Sequence, residues 1–229
     1  MDALTTFVDD VNQAGGTYHK IDFGNGLVMD GEYDMREYLP HYSFPESLAG
    51  QTVLDVGTAS GFFALEFARR RARAVTAIDI GDGAFQRSVF TPASDRIQYV
   101  QKNLFDIDEQ FGRFDLVFCG SLLLHIWDQF GALQRLRRVC GGLAIVATGV
   151  MPAERGCNHF PAAELVGQSA IGGNGVYWTT WMPNGEALTR MMLAAGFARA
   201  EYKGDFRLRS AAGKHNFDTP HGVVHGWIA

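Results

Sequence analysis

Asp55, Gly57, Gly61 and Asp79 are the residues whose types and spacing carry the most chemistry in this chain. Thr52-Val53-Leu54-Asp55-Val56-Gly57 reads as a buried strand running into a glycine-punctuated turn, and the apolar run from Phe62 reads as a helix. A second apolar strand, Ala74-Val75-Thr76-Ala77-Ile78, ends in Asp79, 22 residues after Gly57. That interval is close to the ~20 residues at which a nucleotide-binding βαβ unit places its ribose-binding carboxylate. The glycines permit a tight turn, and the helix N-terminus offers free N–H groups to a polar ligand. The pattern implies a nucleoside-cofactor site. Its loop reads D-x-G-x-x-x-G, whereas a loop that accommodates a pyrophosphate reads G-x-G-x-x-G.

With this acid-then-glycine loop the chain resembles the class I S-adenosylmethionine-dependent methyltransferases. The resemblance implies a Rossmann-like α/β fold: a seven-stranded methyltransferase sheet with helices on both faces and an N-terminal lid segment. It implies S-adenosyl-L-methionine as cofactor, with Asp55, Gly57, Thr58 and Gly61 bordering its methionine part and Asp79 binding the ribose hydroxyls. Ile80 and Gly81 should border the adenosine. Many members carry a glycine where Ala59 stands. Adenine falls to the turn after the third strand, Lys102-Asn103-Leu104-Phe105-Asp106. There Asn103 or Asp106 would accept the exocyclic amine and Leu104 and Phe105 would sandwich the ring. Phe114-Asp115-Leu116-Val117-Phe118-Cys119-Gly120-Ser121 is similar to the family's fourth motif, which brings Ser121 to the cofactor. Its continuation Leu122-Leu123-Leu124-His125 is similar to the branch that includes the tRNA wobble-uridine 5-oxyacetic acid transferases and many small-molecule methyltransferases. Members that use a carboxylated cofactor carry a polar Tyr just before the motif histidine. Leu124 stands there in this chain, so ordinary S-adenosylmethionine is expected to bind at least as well.

Methyl transfer to a hydroxyl or protonated amine needs a base near the nucleophile. His125 is the candidate, because it follows the fourth strand near the C-terminal edge where ligands bind in open α/β sheets. A packed, hydrogen-bonded structural histidine is the alternative there. His159, Tyr18 and His19 are runners-up as bases. His215, His221 and His225, in the terminal hairpin, read as surface or core histidines, and no HxH or HExxH motif supports a metal. Residues 150–183 are rich in glycine and aromatics, Tyr177, Trp178 and Trp181 among them. A long aromatic loop at that place is expected to cover the cleft and, with Tyr18 and His159, to meet the substrate.

These residues need elements to position them. Helices are expected near 3–13, 61–71, 83–90, 128–139 and 185–195, and strands at 52–57, 74–80, 97–101, 114–119 and 142–147. A last, antiparallel strand pair runs from Phe197 to Trp227. Domain organisation follows: 1–50 as an N-terminal helix and lid over the cleft, and 51–229 as the methyltransferase domain with 150–183 as a covering insertion. A chain of 229 residues, 47% hydrophobic, can bury a substantial core. No apolar run approaches the ~20 residues of a membrane span, and the three scattered cysteines suit a reduced, cytoplasmic setting. The formal charge of −5 provides no basic footprint for nucleic acid. Arg69-Arg70-Arg71-Ala72-Arg73 reads as a solvated helix end complementing the macrodipole. Three functions therefore stand: a small-molecule O- or N-methyltransferase, a tRNA-modifying transferase, and a non-catalytic cofactor-binding protein of the same fold.

Overall fold

A computed structural model describes residues 3–152, 160–170, 176–210 and 218–228, with side chains left out at 168–170 and 176–178. The leader begins with α1 (Ala3–Gln13), continues through the short strands β1 (Thr17–His19), β2 (Ile21–Gly24), β3 (Leu27–Met29) and β4 (Gly31–Tyr33), and ends in α2 (Leu39–Tyr42). β1 pairs with β4 in parallel, and β2 with β3 as a hairpin.

The body alternates strand and helix: β5 (Thr52–Val56), α3 (Phe62–Arg69), β6 (Ala74–Asp79), α4 (Ala84–Ala93), β7 (Ile97–Gln101), β8 (Phe114–Gly120), α5 (Gln129–Val139) and β9 (Cys140–Gly149). Four three-residue strands follow, β10 (Ala163–Leu165), β11 (Gln168–Ala170), β12 (Val176–Trp178) and β13 (Trp181–Pro183). The chain closes with α6 (Gly185–Ala194), β14 (Arg199–Arg209) and β15 (Asp218–Trp227). Seven strands form one sheet in the order β14-β15-β9-β8-β5-β6-β7. β5 to β9 run parallel, and β15 is antiparallel to both of its neighbours. The order reverses at β5, which lies between β6 and β8, and that reversal opens the crevice where α/β sheets bind ligands.

Alternation along the strands divides the core between the two faces. Val53, Phe118, Ile145, Ala147 and Val223 face α3, α4 and the leader, with Phe62, Phe63, Phe67, Phe90 and Tyr42 packed onto them. Leu54, Val56, Val117, Val146 and Val224 face α5 and α6 through Leu133, Leu136, Leu188 and Met192. The leader is fastened to this body by three arginines at the end of α3. Arg69 donates to the Asp22 carbonyl, and Arg70 to the Pro45 carbonyl (2.9 Å) while pairing with Glu66 (2.8 Å). Arg71 donates to Ser47 Oγ (3.0 Å). The cluster does end α3 and Arg69, Arg71 and Arg73 are exposed, as expected of a solvated helix end, while Arg69, Arg70 and Arg71 also bond the leader.

Candidate functional site

The turn after β5 is built from residues in the left-handed region: φ is 75° at Gly57, 47° at Ala59 and 92° at Gly61. Gly61 precedes α3, and a Cβ there would lie 2.3 Å from the Phe90 ring, so only glycine fits. Ala59 carries a side chain in a backbone region that costs an L-residue ~1–2 kcal/mol. Two bonds hold it there: its N–H donates to Asp79 Oδ2 (3.0 Å) and its carbonyl accepts from Gln86 Nε2 (2.7 Å). The N–H groups of Gly57 and Thr58 both donate to the Ile78 carbonyl, at 2.9 and 3.1 Å, which clips the turn to the end of β6.

Asp79 is thereby fixed between the turn and its own strand end. Its Oδ1 accepts the Ile80 N–H at 2.7 Å while Oδ2 holds Ala59, and each oxygen keeps a lone pair for a further donor. Asp55 is different, being 1% exposed and accepting from Thr58 Oγ1 at 2.7 Å. Burial pushes its carboxyl up to about 7; the Thr58 bond opposes this, the Asp79 charge adds to it and the Ala64 N–H opposes it.

At the ends of β6 and β7, Ile80 is 72% exposed, and Asn103, exposed, accepts the Phe105 N–H on its Oδ1 at 2.9 Å. Phe105 is half-buried. Leu104 corrects the sequence reading. It is 5% exposed and packs in the core with Ile78 and Ile107, so its side chain provides no wall for a ring in the crevice. Turn composition alone does not say which of two neighbouring apolar side chains points inward.

On the other side of the turn, Ser121 follows β8, and Leu122 packs so close to Gly57 that a Cβ there would lie 3.1 Å from it. His125 is exposed at the end of a 3-10 turn spanning Leu123–His125, which argues against the packed alternative. Its neighbour Leu124 is buried and presents a carbonyl that accepts the Thr180 N–H at 2.7 Å. Thr180 Oγ1 donates to the Ile126 carbonyl (2.7 Å), and Gln129 Nε2 to the carbonyls of Leu123 (2.8 Å) and Trp181 (3.0 Å). The insertion is thus tied to the loop that carries His125, with half-buried Trp181 in the same network. His159 lies outside the described residues, as do the side chains of Tyr177 and Trp178.

The leader reaches the turn as well. The His19 N–H donates to Ser60 Oγ at 2.8 Å, and Tyr18, 37% exposed, lies 4.9 Å from the Tyr33 ring. His221, expected as a surface or core histidine, is a core one, 1% exposed. Strand register sets it opposite Gly149 and Phe206, whose ring stacks on it at 5.6 Å. Its Nδ1 lies 3.0 Å from the Thr219 carbonyl, and burial pulls the imidazole down to about 4, with the Thr219 bond opposing and the charge of His125 adding to the shift. Long-range pairing put it near His125, and nothing local in the sequence signals that. Among the described residues no group of three or more His, Cys, Asp or Glu gathers as metal ligands.

Residues 53–141, which hold the turn, Asp79 and His125, match the family model described as a methyltransferase domain. The chain has the fold of the class I methyltransferases, and its central stretch matches their domain. It is 28% identical over 130 residues to a tRNA U34 carboxymethyltransferase of Dichelobacter nodosus, covering 55% of this chain and 41% of that protein. It is 33% identical over 106 residues to a ubiquinone biosynthesis O-methyltransferase of Pseudomonas paraeruginosa, covering 44% of this chain and 45% of that one. The chain thus spans less than half the length of these relatives. The N-terminal domain of EvdMO1, crystallised with S-adenosylhomocysteine bound, superimposes with a TM-score of 0.71 at 17% identity, covering 100% of this chain and 98% of that domain. No helix among the described residues is long and apolar enough to cross a membrane.

Proposed function

We propose that this class I methyltransferase chain binds S-adenosylmethionine and transfers its methyl group to an oxygen or nitrogen of a small-molecule acceptor. The observation that carries the reading is the Asp79 carboxylate, half-buried beside a left-handed turn, anchored on both oxygens and retaining lone pairs for two vicinal hydroxyls. The residues fit a nucleoside with an amino-acid tail. The turn leaves no Cβ at Gly57 or Gly61, and an acid directly beneath it suits an ammonium and repels a diphosphate. A neighbouring fold crystallised with S-adenosylhomocysteine supports the same ligand.

Asp79 would hold the ribose, the 57–61 backbone the methionine part, and Ile80, Asn103 and Phe105 the adenine side. When bound, the cofactor supplies a methyl group on a sulfonium. The chain's own contribution is to orient an acceptor in line with it and to take the acceptor's proton. His125, exposed at the sheet's C-terminal edge, would receive that proton, and Trp181 and Tyr18 would border the acceptor. The leader, residues 1–50, serves as the cover of the cleft.

A curated relative is named for tRNA U34, which keeps a nucleic-acid substrate as the competing reading. The net charge of −5 favours the small molecule. Calorimetric titration with S-adenosylhomocysteine tests the cofactor, and absence of binding would remove the proposal. A salt titration against bulk tRNA tests the acceptor class. Binding that falls steeply with salt would favour the tRNA reading, and no binding is expected.

A further inference from the structure

His19 ends β1 with its imidazole 4% exposed and its ring nitrogen Nδ1 fully enclosed without a hydrogen-bond partner. Among the described residues only the Thr148 hydroxyl shares that condition. A buried polar atom left unpaired costs ~1–3 kcal/mol, so it calls for an explanation. The rings around His19 offer no relief: Tyr18 at 4.7 Å, Phe62 at 6.0 Å and Phe63 at 5.9 Å. Burial pulls the imidazole down to about 3, so it is neutral at physiological pH and carries one N–H. The backbone bond from His19 to Ser60 Oγ (2.8 Å) sets this ring beside the turn from which α3 starts. The first amides of α3 point the same way as any helix N-terminus, toward negative charge.

We propose that His19 donates a hydrogen bond from Nδ1 to the carboxylate at the amino-acid end of the cofactor, and that this bond holds the leader strand against the turn in the loaded protein. The proposal rests on the S-adenosylmethionine reading above. It assigns to the leader a contact that selects the amino-acid tail, whereas Asp79 selects the nucleoside. Without the ligand, closing the leader leaves the nitrogen orphaned, and that cost opposes closure. With the ligand, the cost is relieved.

The test titrates the intact chain with two ligands that share a nucleoside and a thioether, S-adenosylhomocysteine and 5′-methylthioadenosine, which lacks the amino-acid tail. His19→Phe should weaken S-adenosylhomocysteine ~10-fold, equivalent to ~1.4 kcal/mol, and leave 5′-methylthioadenosine within about twofold. His19→Asn, whose amide N–H can take the place of Nδ1, should keep S-adenosylhomocysteine within about threefold. A packing role for His19 would move both ligands together. Equal losses for both, or no loss with Phe, would overturn the proposal. If the Phe variant does not fold, a ~10-fold selective loss in the Asn variant would overturn it equally. Wild-type chain that binds neither ligand would instead defeat the cofactor reading itself.

Discussion

Asp55→Asn isolates the cost of the charge buried beneath the cofactor turn. The wild-type carboxyl, ordinarily at 3.8, is raised to about 7 in the folded protein, with desolvation as the main cause. Below about pH 4 the group is neutral in both folded and unfolded chains, and folding meets no charge penalty. Between about pH 4 and 7 the folded chain keeps a proton that the unfolded chain has released, so stability falls as pH rises through this window. Above about pH 7 the carboxylate is charged in both states and the loss is complete. About three pH units at ~1.36 kcal/mol each put the full cost at ~4 kcal/mol, an upper figure for a group with two opposing hydrogen bonds. Asparagine keeps the shape and can bond both partners, its carbonyl accepting from Ala64 and its amide donating to Thr58 Oγ1, but it has no charge to bury. A chain of this size gains ~2–4 °C in Tm per kcal/mol. The Tm advantage of Asp55→Asn over wild type should therefore grow by several degrees, up to ~8–16 °C, between pH 4.5 and 8. Differential scanning calorimetry on the two proteins across that range reads it directly. A Tm difference constant within about a degree would show that Asp55 titrates normally and would refute the burial argument.

Ala59→Gly should raise Tm by ~1–2 °C, since relief of ~1–2 kcal/mol of left-handed strain exceeds the ~0.5–1 kcal/mol of extra chain entropy glycine loses; a fall in Tm would contradict the geometry. His125→Gln should leave Tm within about a degree, because the ring is exposed, and should slow methyl transfer by ~10²–10⁴-fold if it takes the acceptor's proton; a large loss of Tm with turnover retained would restore the packed reading. Thr180→Val removes the hydroxyl that donates to the Ile126 carbonyl and should cost ~1–2 kcal/mol in urea unfolding; an unchanged midpoint would show that the insertion is not held there. Ordinary S-adenosylmethionine should compete at least equally with its carboxylated relative, and a clear preference for the latter would reverse the cofactor assignment.

The parallel strands of the sheet were legible because each is a continuous or alternating apolar run of five residues or more, from Thr52–Val56 to Cys140–Gly149. The three-residue strands of the leader and insertion were not, since pieces such as Ala163–Leu165 are too short to show a period and are set by pairing with Trp181–Pro183. The turn of the site could be read from Asp55, Gly57, Gly61 and Asp79 because its backbone geometry demands those residue types locally. Leu104 could not be placed, since which of two adjacent side chains faces the core is decided by α5 packing over it. His221 owes its position to register with Gly149, 72 residues earlier, and Arg69 to Arg71 owe their partners to a leader that folds back from 24 or more residues away.

The central claim is that Asp79 and the turn beside it bind the nucleoside of S-adenosylmethionine, and one titration reaches it most directly. Wild-type chain and Asp79→Ala, both verified as folded by circular dichroism, are titrated with S-adenosylmethionine in a calorimeter. Loss of two charge-assisted bonds to ribose should weaken binding at least ~10-fold, ~1.4 kcal/mol or more, in the variant. A folded Asp79→Ala chain with wild-type affinity would contradict the account.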